Sequence, residues 1–168
     1  MEDYIMAVTP ERVKEGKAVF DNLVNHLHSI NLNFATEELE DRFVIRFNMS
    51  GDDIPMRFFL YVNPNQRIIT LHSPQPVKFP EDKLDIGCKA ICAINYRLSD
   101  GDFQIDIRDG EVLFNMSNSY ADSLISDEVF NYMLGMSINI VDEFNDKLLM
   151  LSKGLIDFDT FKQSLNYD

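Results

Sequence analysis

Residues 41–74 read DRFVIRFNMSGDDIPMRFFLYVNPNQRIITLHSP, and their alternation decides the fold. Phe43, Ile45, Phe47 and Met49 alternate with Val44, Arg46 and Asn48, the period of two that sends successive side chains to opposite faces of a sheet. Met56, Phe58, Leu60 and Val62 repeat the pattern, and a third run over residues 67–73 carries Ile68, Ile69 and Leu71. SGDD and NPNQ between the runs have turn chemistry: Gly51 accepts positive φ, Asp and Asn side chains bond their own backbone, and Pro64 presets φ. The stretch therefore predicts a three-stranded antiparallel meander.

Helical periodicity takes over on both sides of it. Thr9 and Pro10 are good first residues for a helix, with Glu11 in the first turn. Phe20, Leu23, Val24, Leu27 and Ile30 then recur on one side. Residues 31–36 alternate briefly and predict an edge strand. Beyond the meander, residues 73–83 (SPQPVKFPEDK) hold three prolines, which predicts a stiff crossover rather than a helix or a central strand. Pro80 opens a second helix carrying Leu84, Cys88, Ile91, Ile94 and Leu98. A hairpin follows, with Phe103, Ile105 and Ile107 on one arm, Val112, Phe114 and Met116 on the other, and an Asp109-Gly110 turn of the type I′ kind between them. From Ser126 a long helix runs to about Ser152, with Gly154 as its C-terminal stop. The expected fold is α+β: an antiparallel sheet of five or six strands with the three longer helices mainly on one face. One domain spans residues 1–168, with 1–9 and 166–168 frayed and 155–165 a C-terminal helical appendage.

Composition narrows the function classes. A formal charge of −13 and no basic run oppose binding to nucleic acid or an anionic membrane, because phosphate contacts need clustered Lys and Arg. Nothing at the start resembles a secretory signal, and no window approaches the ~20 apolar residues that span a bilayer. Cys88 and Cys92, four apart, lack the C-x-x-C spacing of redox and zinc sites, so a reducing cytoplasm is expected. His26, His28 and His72 stand in no ligand motif. The acids Asp100, Asp102, Asp106, Asp109 and Glu111 have turn spacing rather than that of a calcium loop. No catalytic residue, cofactor or metal site is expected.

The best candidate for function is a sheet face. Val44, Arg46, Phe59, Tyr61 and Leu113 lie out of phase with the main apolar rows. If the helices cover one face, these five line the other as a partner-binding surface; the alternative is that a helix covers this face too. A small-ligand or enzymatic pocket between sheet and helices is the competing reading, with His72, Tyr96 and Arg97 as its nearest polar groups. The long helix carries more than one apolar stripe. Met133, Met136, Ile140, Phe144 and Leu151 suit the sheet, whereas Phe130, Leu134, Ile138, Val141 and Leu148 form a second stripe. Burying each such side chain is worth about 1.5–3 kcal/mol. Either a second copy of the chain covers that stripe in a homodimer, or residues 155–165 do.

Four segments give the chain a likeness to a known family: LHSP at residues 71–74, VKFPEDK at 77–83, AINYRLSDGDFQID at 93–106 and DGEVLFN at 109–115. Over roughly residues 15–150 it resembles the YbjN family, bacterial proteins proposed to regulate sensory transduction, with a type III secretion chaperone-like fold. The resemblance implies a non-enzymatic cytoplasmic domain that binds protein, since chaperones of this fold are acidic, usually dimeric and grip extended client segments. It brings no catalytic residue with it. The partner it implies is a protein or peptide, with neither nucleic acid nor membrane.

Overall fold

The structure is a computed structural model, and it describes residues 8–165. Helix α1 (Pro10–Ser29) leads into strands β1 (Phe34–Glu38), β2 (Phe43–Met49), β3 (Met56–Asn63) and β4 (Ile68–Lys78). A single 3-10 turn, Glu81–Lys83, precedes helix α2 (Leu84–Asn95). Strands β5 (Asp102–Ile105) and β6 (Glu111–Ser119) follow, then helices α3 (Asp127–Lys153) and α4 (Phe158–Ser164). The six strands form one antiparallel sheet in the order β1-β2-β3-β4-β6-β5.

Register turns the alternation into layers. Ile45, Leu60, Leu71 and Met116 sit directly opposite one another across four strands, and none is more than 2% exposed. Phe58, Val62, Ile69 and Phe114 extend this layer, which shares one hydrophobic cluster with the apolar faces of the helices. The caps act as their residue types dictate. The Thr9 hydroxyl accepts from the Arg12 amide, and the Ser126 hydroxyl from the Val129 amide at 3.2 Å. Gly154 closes α3 with φ at +72°. Of the ends expected to fray, residues 1–9 and 166–168, Thr9 instead caps α1, and residues 1–7 and 166–168 lie outside the described residues.

Several expectations are corrected. The proline-rich stretch is not a plain crossover, because residues 74–78 continue β4, a central strand, beside β6. This is tolerated because the β3 ladder ends at the Phe59–His72 pair and the β6 register shifts between Pro74 and Lys78. The prolines, which lack an N–H, therefore sit where the ladder is interrupted. The hairpin turn is longer than a two-residue type I′ turn: the Gly110 amide donates to the Asp106 carbonyl at 2.6 Å, and only Gly110 has positive φ. The second α3 stripe is consumed within the chain. Phe130, Leu134, Val141 and Leu148 are buried and Ile138 is half-buried. Helix α3 has α1 beside its first half, where the His26 ring meets Phe130 edge-on at 5.6 Å, and it also packs against α2 and α4, so more than one stripe of it is covered. Four of these five side chains are therefore buried within the chain, and Ile138 alone of them keeps part of its surface. Residues 155–165 are likewise no appendage: Phe161 and Leu165 are fully buried in the common core.

Two glycines predict opposite effects. A Cβ on Gly110, where φ is +79°, would stand 1.9 Å from the Phe79 carbonyl oxygen, whereas one on Gly135 would meet nothing within 4 Å. In equilibrium denaturation Gly110→Ala should lose stability, on the order of 1–3 kcal/mol or more. Gly135→Ala should gain up to about 1 kcal/mol by removing a mid-helix glycine.

Candidate functional site

The second face of the sheet carries the other half of each strand's alternation. Arg46, Phe59, His72, Asn115 and Asp102 lie in one row from β2 to β5. Val44, Tyr61, Thr70 and Ser117 form the next row, and Leu113 pairs with Gln104 and Pro74. Among the described residues no helix covers this face, and Phe59, Tyr61, His72 and Leu113 are only half-buried on it. All five residues expected on a partner-binding surface are brought together here. Val44 lies flush, 5% exposed, and Arg46 stands out in an ion pair with Glu37 at 3.1 Å.

Aromatic rings form the centre. Phe59 and Tyr61, two apart on β3, lie nearly parallel with centroids 6.3 Å apart, and the His72 ring meets Tyr61 at 5.2 Å and a steep angle. Beside them an open groove of about 700 Å³ is lined by Phe59, Tyr61, His72, Leu113 and the turn after β5, including Asp106 and Ile107. Ile107 is 69% exposed, so its side chain adds apolar surface to the rim. Across Phe59 a second hollow of about 460 Å³ contains Arg46, Asn48 and Arg57. Phe59 is the ridge that both share.

A polar chain leads from His72, at the groove, along the neighbouring strands. The Asn115 amide donates to Asp102 at 3.0 Å, which turns its carbonyl oxygen to His72 Nε2 at 3.1 Å, so that this ring nitrogen is the donor. Gln104 also donates to Asp102, at 2.8 Å. Partial burial lowers the pKa of His72 below the usual histidine value, and the Asn115 bond and the charge of Asp102 only partly offset this.

The sheet edges are less accessible than the face. On β5 the Asn95 side chain accepts from the Phe103 amide at 2.8 Å and donates to the Phe103 carbonyl at 2.9 Å. It occupies the Phe103 backbone groups that an added strand would need. At the other edge β1 is five residues long and carries Glu37 and Glu38, charges that discourage pairing.

The competing pocket between sheet and helices does not assemble. His72 faces away from the helices, Tyr96 is 85% exposed beyond α2, and Arg97 pairs with Glu143 at 3.7 Å. His26 lies between Asp127 and Asn131 and ties α1 to α3, while the His28 ring rests against Phe34. Cys88 is half-buried and Cys92 exposed. The hairpin acids are locally engaged: Asp106 takes the Arg108 guanidinium and amide, which hold its pKa at about 2, and Asp109 pairs with Lys78. Among the described residues no three metal-ligating side chains converge.

No family model and no curated protein matches the sequence. Among solved structures the fold is similar to that of YbjN from E. coli, described as a candidate transcription regulator. The TM-score is 0.52 over 76% of this chain and 91% of that one, at 14% sequence identity. The YbjN-like α+β fold implied by the four segments is thus found, and at this identity the likeness is one of fold.

His72 gives this face a pH signature. A base whose folded pKa lies below its unfolded value contributes stability that is full above the unfolded pKa and is lost as pH falls through that value toward the folded one. NMR titration should place the His72 pKa below 6.5, and stability should decline on acidification from pH 7 more steeply than in His72→Gln.

Proposed function

We propose that the protein is a non-enzymatic binding module that holds a segment of a partner polypeptide on the uncovered sheet face, in a chaperone-like or regulatory role. One observation carries the reading: Phe59, Tyr61 and Leu113, with His72, form an aromatic and aliphatic surface that no described element covers. Apolar surface left open beside polar groups is characteristic of interaction sites. The face rather than an edge takes the partner, because Asn95 occupies the β5 edge and β1 is short and acidic. Similarity of fold to a candidate regulator agrees with such a role. The module acts in the reducing cytoplasm, where Cys88 and Cys92 stay as free thiols. Among the described residues, no helix is long and apolar enough to cross a membrane.

The groove volume supports a second reading. About 700 Å³ falls within the range of small-molecule sites, and His72, Gln104 and Asp106 place polar groups on its lining. Under that reading the protein is a small-ligand sensor using the same face, and metabolites should raise its melting temperature.

Affinity capture from the native host should compare the chain with two double variants. Phe59→Ser with Tyr61→Ser changes the face, and Val129→Ser with Tyr132→Ser changes an exposed part of α3. Partners should vanish with the face variant and persist with the helix variant. Retention by both variants would contradict a polypeptide site on this face.

A further inference from the structure

The charged groups lining the two hollows are satisfied within the chain, with one exception. Arg46 pairs with Glu37, Asp106 with Arg108, and Glu111 lies 3.6 Å from Lys78. Of these charged residues only Arg57 has a side chain with no hydrogen bond or ion pair among the described residues, although the chain carries 28 acidic side chains against 15 basic ones. It is exposed on β3, opposite Asn48 and two residues before Phe59, so it shares the uncovered face with the aromatic ridge. In an acidic protein a guanidinium left unpaired among the described residues, across Phe59 from the apolar groove, presents an unmet charge beside that surface. Its planar fork of donors matches a carboxylate.

We propose that the bound segment is an extended peptide with a carboxylate side chain two positions from an apolar one, the apolar group seated on Phe59, Tyr61 and Leu113 and the carboxylate taken by Arg57. The inference rests on the reading of this face as a polypeptide site and adds the chemistry of the partner. The spacing follows from the strand: Arg57 and Phe59 lie about 6.5–7 Å apart along β3, the repeat of same-side residues in an extended chain. The opposite polarity is disfavoured, because the acids at the other end of the groove already hold Arg108 and Lys78. Phe59, Tyr61 and Leu113 supply contact area with no charge of their own, so discrimination falls to Arg57.

The test is selection from a phage-displayed library of random linear peptides on the immobilised full chain, followed by fluorescence anisotropy of the enriched peptides. Asp or Glu should be enriched two positions from Phe, Tyr, Leu or Met. Arg57→Gln should weaken the best peptide by roughly ten- to a hundredfold, as loss of a charge-assisted hydrogen bond does. Replacing its acid by the amide should cost the same in the wild type and nothing further in Arg57→Gln. Circular dichroism should show the fold unchanged, since Arg57 is exposed. Peptides without an acidic bias, basic peptides, or peptides indifferent to Arg57→Gln would overturn the carboxylate preference; if Phe59→Ser with Tyr61→Ser still removed them, the peptide site would stand. No enrichment, or equal enrichment on that double variant, would overturn the site as well. A dimer that dissociates in the double variant would assign the face to a second copy of the chain and overturn both.

Discussion

The two sides of β3 divide the molecule. Phe58, Leu60 and Val62 are wholly buried under the helices, and the residues between them, Phe59 and Tyr61, have no such cover. Because side chains on a regular strand such as β3 alternate between faces, sealing one set against α1 and α3 fixes the other set on the opposite face. A slip of one residue in the register of β3 would bury Arg57 and expose Phe58. The continuous row from Ile45 to Met116 holds that register across four strands, so core formation and the construction of the uncovered face are one event.

The helices reinforce this one-sided arrangement. Helix α3 spends both of its apolar stripes inside the chain, and α4 adds Phe161 and Leu165 to the same cluster. Asn95, at the end of α2, holds the β5 edge through two hydrogen bonds to Phe103. What remains apolar and accessible on the sheet is concentrated around Phe59, Tyr61, His72 and Leu113. A long aromatic surface without a charge would invite nonspecific association. Here it is bordered by Arg46 and Arg57 on one side and by Asp106 and Glu111 on the other, which restricts what binds productively.

The parts of the fold legible in the sequence are those that local chemistry determines. Period-two alternation located β2 and β3, and Thr9, Ser126 and Gly154 marked the helix ends at which the structure places caps. The parts that were not legible depend on neighbours. Pro74 and Pro76 argue against a strand until it is known that the β3 ladder has already ended at His72. The width of the buried face of α3 depends on α1, α2 and α4, and no count of apolar residues distinguishes those neighbours from a second subunit. The face residues Val44, Arg46, Phe59, Tyr61 and Leu113 were found by phase alone. Arg57 shares that phase and was missed, because only the pairing of the other charges that line the two hollows shows that it is unmatched there. His72 was assigned to the wrong side, although its position between Leu71 and Ser73, both buried, carries the same phase signal.

The central claim is that one face of the sheet is open in the folded chain. Hydroxyl-radical footprinting of the full chain at low concentration, read residue by residue by mass spectrometry, tests it directly. Phe59 and Tyr61 should be oxidised readily, while Phe58 and Tyr120, both fully buried, should be protected. Protection of Phe59 and Tyr61 equal to that of Phe58 would show the face to be covered and would contradict the account.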